Sequence, residues 1–191
     1  MISTIKPVIV LSTICTLVCA LLIVTYNLTY VDTSGVITDK LNNACVAIEG
    51  EAEYELITDR ASVGLDKEEF EEITKIVKNT NTGTYLYEIV VNGYADDGID
   101  VVVGIDENGA VKGISIIALQ ETPGLGTKIN DKAFLDKFTG ASSEITITKN
   151  PPSKDNEIQA ITSATYSSKG LAKAVNLAIS ADKAVKEKGV Q

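Results

Sequence analysis

The stretch PVIVLSTICTLVCALLIVTY, from Pro7 to Tyr26, runs for twenty residues without a charge, and no other feature restricts the fold of this chain as sharply. Wound as an α-helix, such a run spans about 30 Å, the hydrocarbon thickness of a bilayer. Ser12, Thr13, Thr16 and Thr25 fit that setting, because each hydroxyl can donate back to a backbone carbonyl one turn earlier. Tyr26 and Tyr30 fall where interfacial aromatics sit. A cleaved export signal is the competing reading, but its apolar core is ordinarily about 7 to 15 residues long and ends at a small-x-small site. Here the run is longer and no such site follows. Lipoprotein processing at Cys19 is disfavoured by bulky Val18 before it and by the apolar residues after it. We therefore expect an uncleaved single-pass anchor over residues 7–28, embedded in membrane lipid. Lys6 is the sole charged side chain before Asp32, so the positive-inside rule leaves residues 1–6 in the cytoplasm and puts the bulk of the chain on the extracytoplasmic side of the cell membrane.

Charge and composition narrow the function of the outer part. All 26 acidic residues and all but one of the 17 basic residues lie beyond the anchor. That acidic surface carries no basic stripe interleaved with aromatics, so no nucleic-acid partner is expected. There is no His, which removes the usual general base near neutral pH and the commonest metal ligand. Cys15 and Cys19 lie one turn apart in the anchor and Cys45 stands alone beyond it, too few for a disulfide framework or a zinc knuckle. Simple packing is the plain role for the first two; iron–sulfur ligation would need further thiolates from a partner chain.

Periodicity then predicts the elements. A chain of 191 residues supplies one domain plus an anchor. Ile37, Leu41, Ala44, Cys45 and Ile48 share a helical face, giving a connecting helix within a stalk over residues 29–62. From Asp66 to Val77, Phe70, Ile73, Ile76 and Val77 face inward while a run of Lys and Glu forms a solvated face, which predicts a second amphipathic helix. The period changes to two at Tyr85, Tyr87, Ile89 and Val91. IDVVVGI, residues 99–105, reads as a strand buried on both faces, and AVKGISIIAL, residues 110–119, as its partner across the Asp106 to Gly109 turn. A short helix from Asp131 to Phe138, with Phe134, Leu135 and Phe138 inward, and a strand from Glu144 to Thr148 follow. Past Pro151 and Pro152 an extended piece leads to a helix beginning near Ser167, where Ser167 and Ser168 are both good caps. Leu171, Ala174, Val175, Ala178 and Ile179 form its buried stripe, and residues 183–191 read as a frayed polar tail. The class is α+β: one N-terminal transmembrane helix, then a single domain over residues 63–185 with an antiparallel sheet and packed helices, and a tail over 186–191.

Two segments carry possible chemistry. In Glu121-Thr122-Pro123-Gly124-Leu125-Gly126, Pro123 fixes one backbone angle while the glycines admit conformations closed to other residues. Such a loop is either a plain turn between strand and helix or a place where bare amides meet a flat or anionic ligand. Thr162-Ser163-Ala164-Thr165-Tyr166-Ser167-Ser168 crowds five aliphatic hydroxyls against the start of a helix. Helix N-termini present unpaired N–H groups and the positive end of the dipole, a setting suited to phosphate. An over-rich N-cap explains the same residues.

Together, in this order and behind one membrane helix, the two segments resemble the FMN-binding domain shared by the G subunit of the Rnf complex and the C subunit of the sodium-pumping NADH:quinone reductase. The resemblance covers roughly residues 1–185 and lies nearer the Rnf protein, because the chain between anchor and motif is compact. In that family a Ser/Thr-Gly-Ala-Thr-x-Ser/Thr motif holds FMN by a phosphoester to its central threonine, which maps to Thr165 in TSATYS, and ETPGLG stands letter for letter at Glu121 to Gly126. GYADDGIDVVVGIDENGAVKGI also resembles the strand-turn-strand before that loop. Three positions differ: Ser163 stands where glycine is usual, Gln159 where the flavin-attaching transferase's recognition sequence has aspartate, and Leu119 where a histidine is often found.

The resemblance implies a cofactor site of Thr162, Ser163, Ala164, Thr165, Ser167 and Ser168 facing Glu121, Thr122, Gly124, Leu125, Gly126 and Lys128, with no catalytic side chain and no metal. Thr165 is then an attachment point, since a flavin does its own redox chemistry and the protein supplies orientation and electrostatics. A phosphoester prevents loss of the nucleotide outside the cytoplasm. The chain would be an electron carrier within a ferredoxin:NAD oxidoreductase that translocates sodium or protons, partnered by the other membrane subunits and by the flavin-attaching transferase. Two rivals stand beside this expectation: a stand-alone extracytoplasmic FMN domain serving another reductase or a sensor, and a flavin-free tethered interaction module.

Overall fold

A computed structural model describes residues 2–30 and 35–189; Asp32, Val190 and Gln191, on which parts of the expectations fall, lie outside the described residues. The chain divides into two units, residues 1–33 and 34–191.

The first unit is one helix, α1 (Ile2–Thr29). Its segment Pro7–Thr29 has a mean hydropathy of 2.7, and by length and composition it is long and apolar enough to cross a membrane. The hydroxyls of Ser12 and Thr13 both return to Ile9 O, at 2.9 and 2.8 Å. Thr16 returns to Ser12 O and Thr25 to Leu21 O, each at 2.9 Å. The polar groups of the apolar run are thus satisfied within the helix, as hydrocarbon surroundings require.

The second unit is α+β. Five strands, β1 (Tyr54–Ile57), β2 (Ile73–Asn79), β3 (Tyr85–Val91), β4 (Ile99–Ile105) and β5 (Val111–Leu119), form an antiparallel meander in chain order. The helix α2 (Asp39–Glu49) covers one face, capped by Thr38, whose hydroxyl accepts from Leu41 N. Leu41, Ala44 and Cys45 pack on Val77, Leu86 and Val102. Burial there pushes the Cys45 thiol up to about 12, so it behaves as an inert apolar side chain. The opposite face packs against α4 (Thr165–Gly189), whose Leu171, Ala174, Val175, Ala178 and Ile179 are all buried as the periodicity requires. β4 lies between the two, with Val101 and Val103 in the α4-side core and Val102 in the α2-side core. A short helix α3 (Lys132–Leu135), extended by a 3-10 turn to Phe138, closes one side of that core through Phe134 and Phe138. A small parallel pair, β6 (Thr146–Thr148) and β7 (Glu157–Gln159), precedes α4.

Three expectations are corrected. The helix expected over residues 66–77 is instead a 3-10 turn at Glu68–Phe70 followed by β2. Arg60 explains why: its guanidinium donates to the carbonyls of Leu65, Phe70 and Ile73, groups that a helix would have used internally. The helical spacing of Ile73 and Ile76 arises from a bulge between Ile73 and Lys75, which returns both side chains to one core across an odd step.

The last helix begins at Thr165, not near Ser167, so the two serines lie inside its first turn. It also continues through the expected frayed tail to Gly189. Ala181 and Val185 are buried there, Lys186 pairs with Asp182 at 2.7 Å and donates to the carbonyls of Asp106 and Glu107, and Lys188 donates to Ala61 O. Burying an aliphatic side chain such as Val185 is worth about 1.5–3 kcal/mol, enough to outweigh fraying of a final turn.

Candidate functional site

At the N-terminal end of α4 the chain turns sharply. Ala164 N donates to Ile161 O at 2.9 Å, closing a β-turn over Ile161–Ala164 in which the third residue, Ser163, has φ +64°. A positive angle at that position is the pattern of a type II turn and favours glycine. The departure noted in the sequence therefore falls on a backbone that serine adopts only at a cost. Ser168 secures the turn from inside the helix: its hydroxyl accepts from Ile161 N at 3.1 Å and donates to Ala164 O at 2.9 Å.

The first α-helical hydrogen bond runs from Ser168 N to Ala164 O. Among the described residues, the N–H groups of Thr165, Tyr166 and Ser167 therefore have no backbone acceptor, as expected for a first turn. Thr165 is half-buried at this end, with Thr162, Ser163 and Tyr166 exposed around it and Ala164 buried beneath. Three free donors in the helical turn that opens with the half-buried Thr165 form a set suited to a phosphate ester.

The ETPGLG loop meets this helix start through its glutamate. Glu121 is 6% exposed, and its carboxylate accepts from Tyr94 N at 2.9 Å, Ala95 N at 3.2 Å and the Ser167 hydroxyl at 2.5 Å. Three glycines make room for it. A Cβ on Gly93 would stand 2.3 Å, and on Gly98 2.8 Å, from Glu121 Oε1, while one on Gly126 would stand 2.6 Å from Oε2 and 2.7 Å from Ser167 Oγ. Buried charge is tolerated only where hydrogen bonds compensate it, and here the compensation joins three segments: the β3–β4 connection, the ETPGLG loop and α4. Gly170 completes the approach, since a Cβ there would lie 2.5 Å from Asn92 O.

The other expected residues are placed as follows. Thr122, Gly124 and Leu125 are exposed on the loop, where Gly124 has φ +73° and its N–H donates to Thr127 Oγ1 at 2.9 Å. Lys128 is exposed on the 3-10 turn Gly126–Asn130. Ser167 and Ser168 are buried, and their hydroxyls are engaged inside the protein. Sequence reading did not single out Gly93, Tyr94, Ala95, Gly98 or Gly170 as parts of this end. The signal for the first four was the close glycine spacing of GYADDG. Gln159 closes β7, two residues before the turn, and its side chain donates to Lys149 O at 3.3 Å. A cavity of about 770 Å³ lies elsewhere, along α4 beside β6, and none of the candidate residues lines it. Among the described residues no cluster of three acidic, Cys or His side chains is placed to hold a metal.

Residues 93–180 match the family model described as FMN-binding domain, a span that opens at Gly93 and takes in both the Glu121 loop and the first turns of α4. The outer unit thus contains an FMN-binding domain. The chain is homologous to the G subunits of ion-translocating oxidoreductase complexes. Over 126 residues it is 35% identical to the G subunit of the Na(+)-translocating ferredoxin:NAD(+) oxidoreductase complex of Acetobacterium woodii, covering 62% of this chain and 59% of that one. Over 103 residues it is 33% identical to the G subunit of the ion-translocating oxidoreductase complex of Aliivibrio fischeri, covering 52% and 49%. The chain thus spans only about half to three-fifths of the length of these relatives. Superposition on the crystal structure of Shewanella oneidensis NqrC gives a TM-score of 0.49 at 14% identity over 61% of each chain.

Proposed function

We propose that this chain carries FMN covalently, as a phosphoester on Thr165, and that it serves as the G-type electron-transferring subunit of an Rnf-like ion-translocating ferredoxin:NAD oxidoreductase complex. The observation that carries the attachment is the half-buried Thr165 beside three N–H groups without acceptors, at the end of α4 held open by the Ser163 turn. The helix start is a ready anion site. Bound there, FMN would supply reversible electron uptake and release.

The residues divide the remaining work. The N–H groups of Thr165, Tyr166 and Ser167 would hold the phosphate, and Thr162 and Ser163 flank it on the solvent side. Glu121 would keep the loop and helix start in register without touching the phosphate, because its oxygens are directed to Tyr94, Ala95 and Ser167. Ester formation joins Thr165 Oγ1 to phosphorus, with a net gain of one FMN less one water, and leaves the ring system chemically unmodified. A flavin-attaching transferase would form the bond. Residues 7–28 would anchor the chain in the membrane, residues 1–6 would face the cytoplasm, and the flavin unit would lie on the extracytoplasmic side beside its partner subunits. Homology to the G subunits of such complexes supports the assembly.

The test is a denaturing gel viewed under ultraviolet light. The wild-type chain fluoresces as a flavoprotein, and Thr165→Ala abolishes the band while leaving the protein in the membrane fraction. A fluorescent band from Thr165→Ala would refute attachment at this residue. Copurification with other membrane subunits, or its failure, separates the complex from a stand-alone flavin domain.

A further inference from the structure

We propose that Tyr94 and Tyr166 form an aromatic clamp that positions the ring system of the flavin carried at Thr165. This rests on the attachment reading above. The two phenols come from separate elements, the β3–β4 connection and the first turn of α4, yet their ring centroids are 6.4 Å apart with an interplanar angle of 67°. Both stand open to solvent, at 74% and 69% exposure. Aromatic side chains this large ordinarily spend their apolar area in a core or an interface. A pair held together in water is a surface prepared for something flat and apolar.

The pair is also held in place from below. Tyr94 N–H donates to Glu121 Oε1 at 2.9 Å, and Ser167, the residue after Tyr166, donates to Oε2 of the same carboxylate at 2.5 Å. One buried side chain thus sets the backbones that present both rings. Leu125 adds an exposed apolar group one residue before Gly126, whose contact with Ser167 brings the ETPGLG loop to the same end of α4. Small-molecule sites combine apolar and aromatic walls with a few convergent polar groups. Here the aromatic walls are Tyr94 and Tyr166, and the polar groups are the N–H donors of the first helical turn. Tyr166 is the immediate neighbour of Thr165, so a ring tethered through its phosphate is anchored one residue from the first wall. The tyrosines are positioning residues: they restrict the ring and shield one side of it from water.

The test uses the full-length chain purified in detergent with its flavin attached, as wild type, as the double variant Tyr94→Leu/Tyr166→Leu, and as Tyr94→Phe/Tyr166→Phe. Both side chains are exposed, so the fold tolerates either change. Intact mass reports whether FMN is attached, and time-resolved flavin fluorescence reports the freedom of the ring. With equal FMN mass in all three proteins, the clamp predicts slow anisotropy decay in the wild type. The Leu pair adds a fast nanosecond component and raises emission several-fold, because contact with phenols quenches flavin emission. The Phe pair keeps the slow decay. Identical decay and emission in the wild type and the Leu pair, at equal FMN mass, would overturn the clamp while leaving the attachment standing. A wild-type chain with no FMN mass would overturn the attachment reading and the clamp with it.

Discussion

The Ser167 hydroxyl donates to Glu121 Oε2 at 2.5 Å across a span of 46 residues, and this one contact ties the loop after β5 to the first turn of α4. Glu121 Oε1 holds the N–H groups of Tyr94 and Ala95 at the same time. A sequence motif and a helix start separated in the chain thereby become one site.

Removing that carboxylate leaves two N–H groups and one hydroxyl without their acceptor in a buried place. An unsatisfied buried donor costs about 1–3 kcal/mol, with partial relief by entering water, so Glu121→Ala should lose about 2–4 kcal/mol of stability. Glu121→Gln keeps one acceptor oxygen and should lose less than half as much. Denaturant melts of the two variants check the order; equal and negligible losses would contradict it.

Gly170 sits in the first turns of α4, where alanine would normally gain about 1 kcal/mol of helix propensity. The close approach to Asn92 O, at 2.5 Å from an added Cβ, works against that gain, and overpacking against backbone costs about 1–3 kcal/mol. Overpacking wins: Gly170→Ala should be destabilising by about 1–2 kcal/mol. A rise in melting temperature would show that α4 and the β3–β4 connection can separate freely.

Ser163 holds φ +64°, a conformation that costs a residue with a Cβ about 1–2 kcal/mol. Glycine removes that cost but gives the unfolded chain about 0.4–1 kcal/mol of extra entropy. Ser163→Gly should therefore raise stability by about 0.5–1 kcal/mol, read from the midpoint of a denaturant melt.

Asp100 supplies a pH signature. Burial first, and the neighbouring Glu88 carboxylate second, push its carboxyl from 3.8 up to about 6, against the lowering effect of Lys75 and Lys40. The folded protein keeps this proton up to about pH 6, whereas the unfolded chain releases it near 3.8. Between those values the native state binds more protons, so this group's effect is a stability that falls as pH rises and levels off above about 6. Asp100→Asn should flatten that fall and melt higher than the wild type above pH 6. Parallel melting curves from pH 4 to 7 would count against it.

Much of the fold was legible because its periodicities were unambiguous. The alternation in β3 and the buried stripe of α4 each correspond to one face of a real element, and the dense apolar run of β4 to a strand buried on both. β2 was misread because the bulge between Ile73 and Lys75 gives a strand the spacing of a helix, a register effect that depends on its neighbour β3. β1 carries three partly buried residues and the exposed Glu55, and so short a strand leaves little pattern. At the site, Thr165 and the ETPGLG loop stood out as residue types in sequence. The partnership of Glu121 with Tyr94, Ala95 and Ser167 did not, since two of its three donors are backbone N–H groups that any residue provides.

The central claim is the ester at Thr165, and intact-mass measurement of the purified full-length chain tests it most directly. The account predicts a polypeptide heavier than its amino acids by one FMN less one water, with the addition confined to the peptide that contains Thr165. A mass equal to that of the bare polypeptide, or the addition found on another residue, would contradict it.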